Sequence, residues 1–336
     1  RKYCYGMYTL MFLLMCMAAF LPFFMGGKNF VWGAGAEDGL SQHFSALAYY
    51  GELLREFVKN LIAGHPKLMM WNMSLGYGAD VIATLNYYAI GDPLNLLFGF
   101  VPVKYTEIMY NFMILFRMYL AGIAFILYAR KMKKRTYGTV IGALVYVFCG
   151  FCFRLGLRHP FFLNPMIYFP LLCFGIEKIY QKQRPYLFIV MIYVSAISNY
   201  YFFYMLTIFS VIYAWIRFYK YTEKDRIKNF FLTILKFAGY YILGICMAAV
   251  ILIPSVIGFL GNGRYGSGTD WRTLLVYPGK YYLMFLENFV GYGNVGSNTN
   301  TGYLPIAGIV VLFTIFSRRM KHKKYRLAFL ESVVAL

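Results

Sequence analysis

IMYNFMILFRMYLAGIAFILYARKMKKR, residues 108–135, decides the fold of this chain. Residues 108–128 contain one charge, Arg117, and the run ends in Arg130, Lys131, Lys133, Lys134 and Arg135. A helix of about 20 apolar residues crosses the roughly 30 Å hydrocarbon core of a bilayer. A basic cluster just beyond such a run marks its cytoplasmic end.

The same arrangement recurs along the whole sequence. Apolar runs cover residues 8–25, 108–128, 137–153, 161–176, 186–197, 202–218, 232–259 and 304–316. Basic links at 130–135, 178–184, 217–228 and 318–326 alternate with longer, nearly neutral loops. This predicts an all-α polytopic membrane protein with about eight transmembrane helices and the start of a ninth at 327–336. Residues 1–336 read as a single transmembrane domain, truncated, because the chain begins at Arg1 without Met and stops inside a new apolar run. The N-terminal run reads as a retained anchor, since Ala34-Gly35-Ala36 lies too far beyond it for a signal-peptide cleavage site.

Composition agrees: 60% of residues are hydrophobic and only 14% charged, against about a quarter charged in soluble domains. The net charge of +20 would fit nucleic-acid binding if it were spread over a surface. Instead, the N-terminus and the alternate loops that carry the basic links, Glu177 and Glu331 included, hold 21 of the 33 Lys and Arg with 4 acidic residues, and the opposite loops hold 10 with 9. The excess is therefore a topology signal touching anionic lipid. It implies a multi-pass protein of the plasma membrane with a cytoplasmic N-terminus and no nucleic-acid partner. The six cysteines lie in or beside apolar runs, so no disulfide framework is legible. Cys149-Gly150-Phe151-Cys152 has redox spacing, but its membrane setting favours small buried hydrophobes.

Two outer loops exceed what topology requires. Residues 26–107 contain interfacial helices, with Phe44, Leu47, Leu54, Val58 and Leu61 forming one apolar stripe over 41–62. Residues 258–302 are rich in glycine. Charges inside a bilayer are expensive and mark function. Apart from Arg217, counted with its basic link, the runs contain only Arg117 and Lys236, so chemistry is expected at the outer face. The densest polar cluster there is Glu37-Asp38-Gly39-Leu40-Ser41-Gln42-His43. Asp38 reads either as a helix N-cap or as a carboxylate facing substrate, with Gln42 one turn away. Asp92 before Pro93 reads as a cap with Pro in the first helical position. Arg154, Arg158 and His159 oppose the charge trend and suit an anionic outer partner. Asn199 occupies a tight outer turn.

The order Asp38-Gly39-Leu40-Ser41-Gln42-His43, Tyr50-Gly51-Glu52, Asn72-Met73-Ser74-Leu75-Gly76-Tyr77-Gly78, Gly91-Asp92-Pro93-Leu94-Asn95 and Ser198-Asn199-Tyr200-Tyr201-Phe202 resembles the bacterial YfhO family. The long first loop opening on an acidic residue is similar to the GT-C membrane glycosyltransferases. The resemblance implies an inverting enzyme that moves a sugar from a polyprenyl-phosphate donor to an extracytoplasmic glycan or lipid acceptor, such as teichoic acid or a glycolipid. It implies Asp38 as catalytic base. Glu37, Gln42, His43, Asp92, Arg158, His159, Asn199, Tyr200 and Arg264 become substrate-binding candidates. No metal ligands are assigned, although a divalent metal would be compatible with this chemistry. A transporter or flippase of lipid or polysaccharide precursors and a non-catalytic membrane scaffold are the alternatives. The lack of mid-membrane acids argues against the former, and the acidic cluster against the latter.

The topology has a direct test. Single cysteines at Asp38, Arg158 and Tyr265 should react with an impermeant reagent on intact cells, and cysteines at Lys133 and Lys323 only after permeabilisation. External labelling at position 133 would overturn the span assignment.

Overall fold

A computed structural model describes residues 3–33, 37–222 and 226–261. The eighth and ninth apolar runs, Arg264 and nearly all of the 258–302 loop lie outside the described residues. Nine α-helices are described: α1 (Tyr3–Met25), α2 (Ser45–Ile62), α3 (Val81–Leu85), α4 (Thr106–Lys131), α5 (Thr136–Val147), α6 (Asn164–Tyr180), α7 (Tyr186–Ser198), α8 (Tyr200–Tyr221) and α9 (Arg226–Leu260). A two-residue antiparallel pair, β1 (Trp71–Asn72) with β2 (Ala79–Asp80), closes a small hairpin in the first loop.

Five segments are long and apolar enough to cross a membrane: Tyr3–Met25, Val103–Lys131, Pro160–Tyr180, Tyr200–Tyr221 and Ile227–Leu260. Two shorter apolar helices, α5 and α7, occupy the third and fifth expected spans. α5 stops at Val147, earlier than the apolar run that contains it: Phe148 leaves the helical backbone conformation, and a π-helical turn follows at Cys152–Gly156. Hydropathy continues through that point while the helix does not.

The helices form one bundle. α4 packs on α6 and α5, α6 on α7 and α8, α7 on α9, and α1 on α5. The ends carrying basic links lie together: Lys131 Nζ donates to Gln183 Oε1 at 2.8 Å, and Tyr128 and Tyr213 share a hydroxyl hydrogen bond at 3.0 Å. Arg130 lies over the Tyr5 ring at 5.2 Å, which brings the start of α1 to this same end. Here the fully buried Glu177 of α6 receives a forked contact from Arg217 of α8, with Tyr213 and Tyr221 donating at 2.7 and 2.8 Å. Every carboxylate oxygen is thus answered by a donor, as a buried charge requires.

At the opposite end, the first loop folds back onto the bundle. α2 follows directly from a π-helical turn at Gly39–Phe44. Its buried face is Ala46, Leu47, Tyr50, Gly51 and Leu53, whereas Val58 and Leu61 are exposed. Protein thus covers the expected stripe only along its N-terminal half. The partner is the 3₁₀ segment Pro93–Phe100, whose Phe98 carbonyl receives Arg55 at 3.1 Å, and Arg55 also reaches the Val101 carbonyl.

Arg117 of α4 and Asp92 of the loop tie these parts together. The guanidinium donates to Asp92 Oδ2 at 2.8 Å, Asn95 Oδ1 at 2.5 Å and Asn164 Oδ1 at 3.0 Å. Asn164 in turn donates to Asp92 Oδ2 at 2.7 Å and to Ser198 Oγ at 3.3 Å, which also meets Tyr168 at 3.1 Å. Arg117 is 1% exposed and Asp92 3%. Asp92 also caps the Pro93 segment through Leu94 N at 2.9 Å. Gly91 makes the approach possible: its φ is +92°, and a Cβ there would lie 1.9 Å from the Ile197 carbonyl.

Breaking this pair leaves a buried charge without a partner. Asp92→Ala should destabilise the protein by about 3–5 kcal/mol, measured by unfolding in detergent or nanodiscs. The double variant Asp92→Ala/Arg117→Met should regain much of that loss. Equal destabilisation of the single and double variants would show that the pair is not the fastening.

Candidate functional site

Asp38 lies at the head of the Gly39–Phe44 turn but does not cap it: its backbone is helical and its side chain makes no cap hydrogen bond. The carboxylate instead accepts from Gln42 Nε2 at 2.7 Å, and Gln42 Oε1 accepts from the Tyr88 hydroxyl at 2.7 Å. Both ends of the Gln42 amide are thus engaged, which holds the Asp38 carboxylate through one oxygen. The turn depends on Gly39. A Cβ there would meet the Trp32 carbonyl at 2.2 Å, and that carbonyl accepts from Leu40 N at 3.0 Å. π-Helical turns are rare and concentrate at functional sites.

Behind this turn, His43 Nε2 and His159 Nδ1 share a hydrogen bond of 2.6 Å. His43 is 3% exposed, sits between the rings of Tyr88 and Phe161, and its Nδ1 has no hydrogen-bond partner among the described residues. Burial, reinforced by His159, lowers its pKa to about 3. His159 is also lowered, chiefly by burial and further by Arg158, while Asp38 acts in the opposite sense. Both imidazoles are therefore neutral near pH 7. Arg158 is exposed, with its guanidinium 4.7 Å from the centre of the Trp32 ring, and Trp32 meets His159 edge-on at 5.8 Å.

The structure brings Asp38, Gln42, His43, Arg158 and His159 into one cluster. Asn199 and Tyr200 join its edge through Tyr87: Asn199 Nδ2 donates to the Tyr87 carbonyl at 3.0 Å, and the Tyr87 and Tyr200 rings are 6.1 Å apart. Asn199 is at the same time the cap of α8, accepting from Tyr201 N and Phe202 N. Glu37 is exposed, and its backbone carbonyl accepts from Ser41. Asp92 does not face this cluster openly: it is buried and committed to Arg117, Asn164 and its own cap. Trp32 and Tyr88 emerge as site residues that sequence reading missed. Nothing distinguishes them from the chain's many other aromatics except their place in the first loop. Among the described residues, no group of three or more His, Cys, Asp or Glu converges to hold a metal.

Chemically, the cluster offers a hydrogen-bonded carboxylate, a cation held on an aromatic face, and a wall of neutral rings. The carboxylate can accept a proton from a hydroxyl, and the cation can meet a phosphate.

The family described as "Bacterial membrane protein YfhO" matches residues 7–335. A protein of Bacillus subtilis (strain 168), described as "Uncharacterized protein YfhO", is 26% identical over 273 residues, covering 73% of this chain and 30% of that protein. The matched part of the chain thus accounts for less than a third of that relative's length. No solved structure matches.

The neutral histidines make a pH prediction. Unfolded His43 gains a proton below about pH 6.5, whereas the folded side chain does so only near 3. Between these values the unfolded state binds more protons, so stability falls as pH falls, by up to about 1.4 kcal/mol per pH unit for one proton. His43→Gln should flatten this slope between pH 6.5 and 4 in unfolding measurements, leaving the smaller share of His159. An unchanged slope would mean that His43 is not held neutral.

Proposed function

This chain belongs to the YfhO family of bacterial membrane proteins, and from that premise we propose that it is a membrane glycosyltransferase. It transfers a sugar from a polyprenyl-phosphate donor to an acceptor hydroxyl on a glycan or lipid, such as teichoic acid or a glycolipid, at the outer face of the plasma membrane. The observation that carries this reading is the Asp38 carboxylate, fixed by Gln42 instead of spent on a helix cap, close to the cation Arg158 on the same face.

In the reaction, the acceptor hydroxyl loses its proton to Asp38 while its oxygen forms a bond to the anomeric carbon. The bond from that carbon to the phosphate oxygen breaks, and the lipid phosphate leaves with the electron pair. One displacement inverts the configuration at that carbon. Gln42 holds one carboxylate oxygen, leaving the other to face the hydroxyl. Arg158, pinned over Trp32, supplies positive charge where the phosphate develops its negative charge. The neutral His43–His159 pair adds no positive charge beside Asp38. The basic helix ends face the cytoplasm, as the charge distribution requires.

Asp38→Asn tests the base. Asn keeps an oxygen to accept from Gln42, so folding should be little affected, while transfer of labelled sugar from a polyprenyl-phosphate donor should fall at least about a hundredfold. Glu37→Gln is the paired control and should retain most activity. A large loss in Glu37→Gln alone would move the base to Glu37. Full transfer by folded Asp38→Asn would remove the carboxylate from the reaction.

A further inference from the structure

Cys149 and Cys152 flank the break between α5 and the Cys152–Gly156 turn. Spacing alone makes them small hydrophobes in an apolar run, but the fold gives them a more specific arrangement. Cys149 Sγ donates to Cys152 Sγ at 3.8 Å, and both thiols are free. The backbone closes a single turn around them: Cys152 N and Phe153 N both donate to the Cys149 carbonyl, at 3.1 and 3.3 Å. Residues three apart on such a turn hold their Cβ atoms about 5–6 Å apart. A disulfide needs roughly 3.5–4.5 Å, so a modest tightening of an already irregular turn suffices.

The two thiols are not equivalent. Cys149 is half-buried, whereas Cys152 is fully buried with its sulfur 3.4 Å from Met166 Sδ of α6. An accessible thiol beside a sheltered one is the arrangement that thiol–disulfide exchange uses, one to attack and one to resolve. The pair sits at the loop end of α5, on the face where the charge pattern places the outside of the cell.

We propose that Cys149 and Cys152 form a redox-active dithiol that exchanges with disulfides. The Cys149 thiolate attacks one sulfur of a disulfide RSSR, forming a mixed disulfide and releasing one thiolate. The Cys152 thiolate then attacks Cys149 Sγ, forming the Cys149–Cys152 bond and releasing the second. Two protein thiols are oxidised, RSSR is reduced to two RSH, and the two thiol protons pass to the released thiolates. Closure ties the end of α5 to the turn that leads to Arg158 and His159, and it does not depend on the reaction performed at Asp38.

The test uses the full chain in nanodiscs, treated with glutathione disulfide, quenched in acid, alkylated and examined by peptide mass spectrometry. The peptide carrying both residues should lose two hydrogens and resist alkylation until reduced. Cys152→Ser should instead accumulate glutathione on Cys149, because the resolving thiol is gone. Cys149→Ser should react at least about tenfold more slowly, since Cys152 is sheltered. Wild-type protein that is still alkylated at both positions, or that stops at the mixed disulfide, overturns the proposal. Cys149→Ser reacting as fast as wild type overturns the assignment of the attacking thiol.

Discussion

Arg117 enters a membrane-spanning helix carrying a charge that a hydrocarbon core cannot solvate, and much of the architecture answers that one requirement. Its carboxylate comes from a loop 25 residues earlier in the chain. Bringing Asp92 to Arg117 draws the Pro93–Phe100 segment down onto α4, and α2 packs on that segment in turn. Asn95 and Asn164 accept further hydrogens from Arg117 Nη2 and Nε, its Nη1 has no partner among the described residues, and Ser198 extends the network to the end of α7. A buried ion pair is weak evidence for net stability. Here its consequence is positional: the outer loop is docked, not trailing in solvent.

That docking sets up the candidate site. With the loop held, the Gly39–Phe44 turn lies against the segment that follows α5, and His43 meets His159 across 116 residues of sequence. Gln42 reaches Tyr88, which belongs to the same loop as Asp92. Asp38 is thus supported by a chain of contacts that ends in the bundle. Two π-helical turns feed the cluster, one carrying Gln42 and His43 and the other leading to Arg158 and His159. Each widens the backbone at the point where side chains must point together.

Sequence reading went furthest where one physical rule dominates. In a bilayer, backbone groups must be satisfied within the segment, so a long apolar run means a helix, and the basic links order the ends. The positions of α1, α4, α6, α8 and α9 follow from that rule, with α5 and α7 shorter than the rest. The Asp92 cap before Pro93 was legible for the same local reason, as was Asn199 in its turn. Asp38 was legible as a polar residue of interest but not in its role, since the cap and the free carboxylate have the same sequence signature. Along the apolar stripe of α2, protein covers only the N-terminal part, and Val58 and Leu61 extend beyond the Pro93–Phe100 segment.

By itself, the sequence determined that this chain is a set of apolar helices with one basic end, because solvation by lipid acts on each residue independently and leaves its mark in composition. Tertiary structure alone decided which polar groups meet: Arg117 with Asp92, His43 with His159, Arg158 with Trp32, Cys149 as the open thiol beside the sheltered Cys152. Most of these contacts join residues tens to more than a hundred positions apart, and even the nearby cysteines are told apart only by what packs over them. They depend on where a loop lands on a bundle, and no local pattern of residue types encodes that landing.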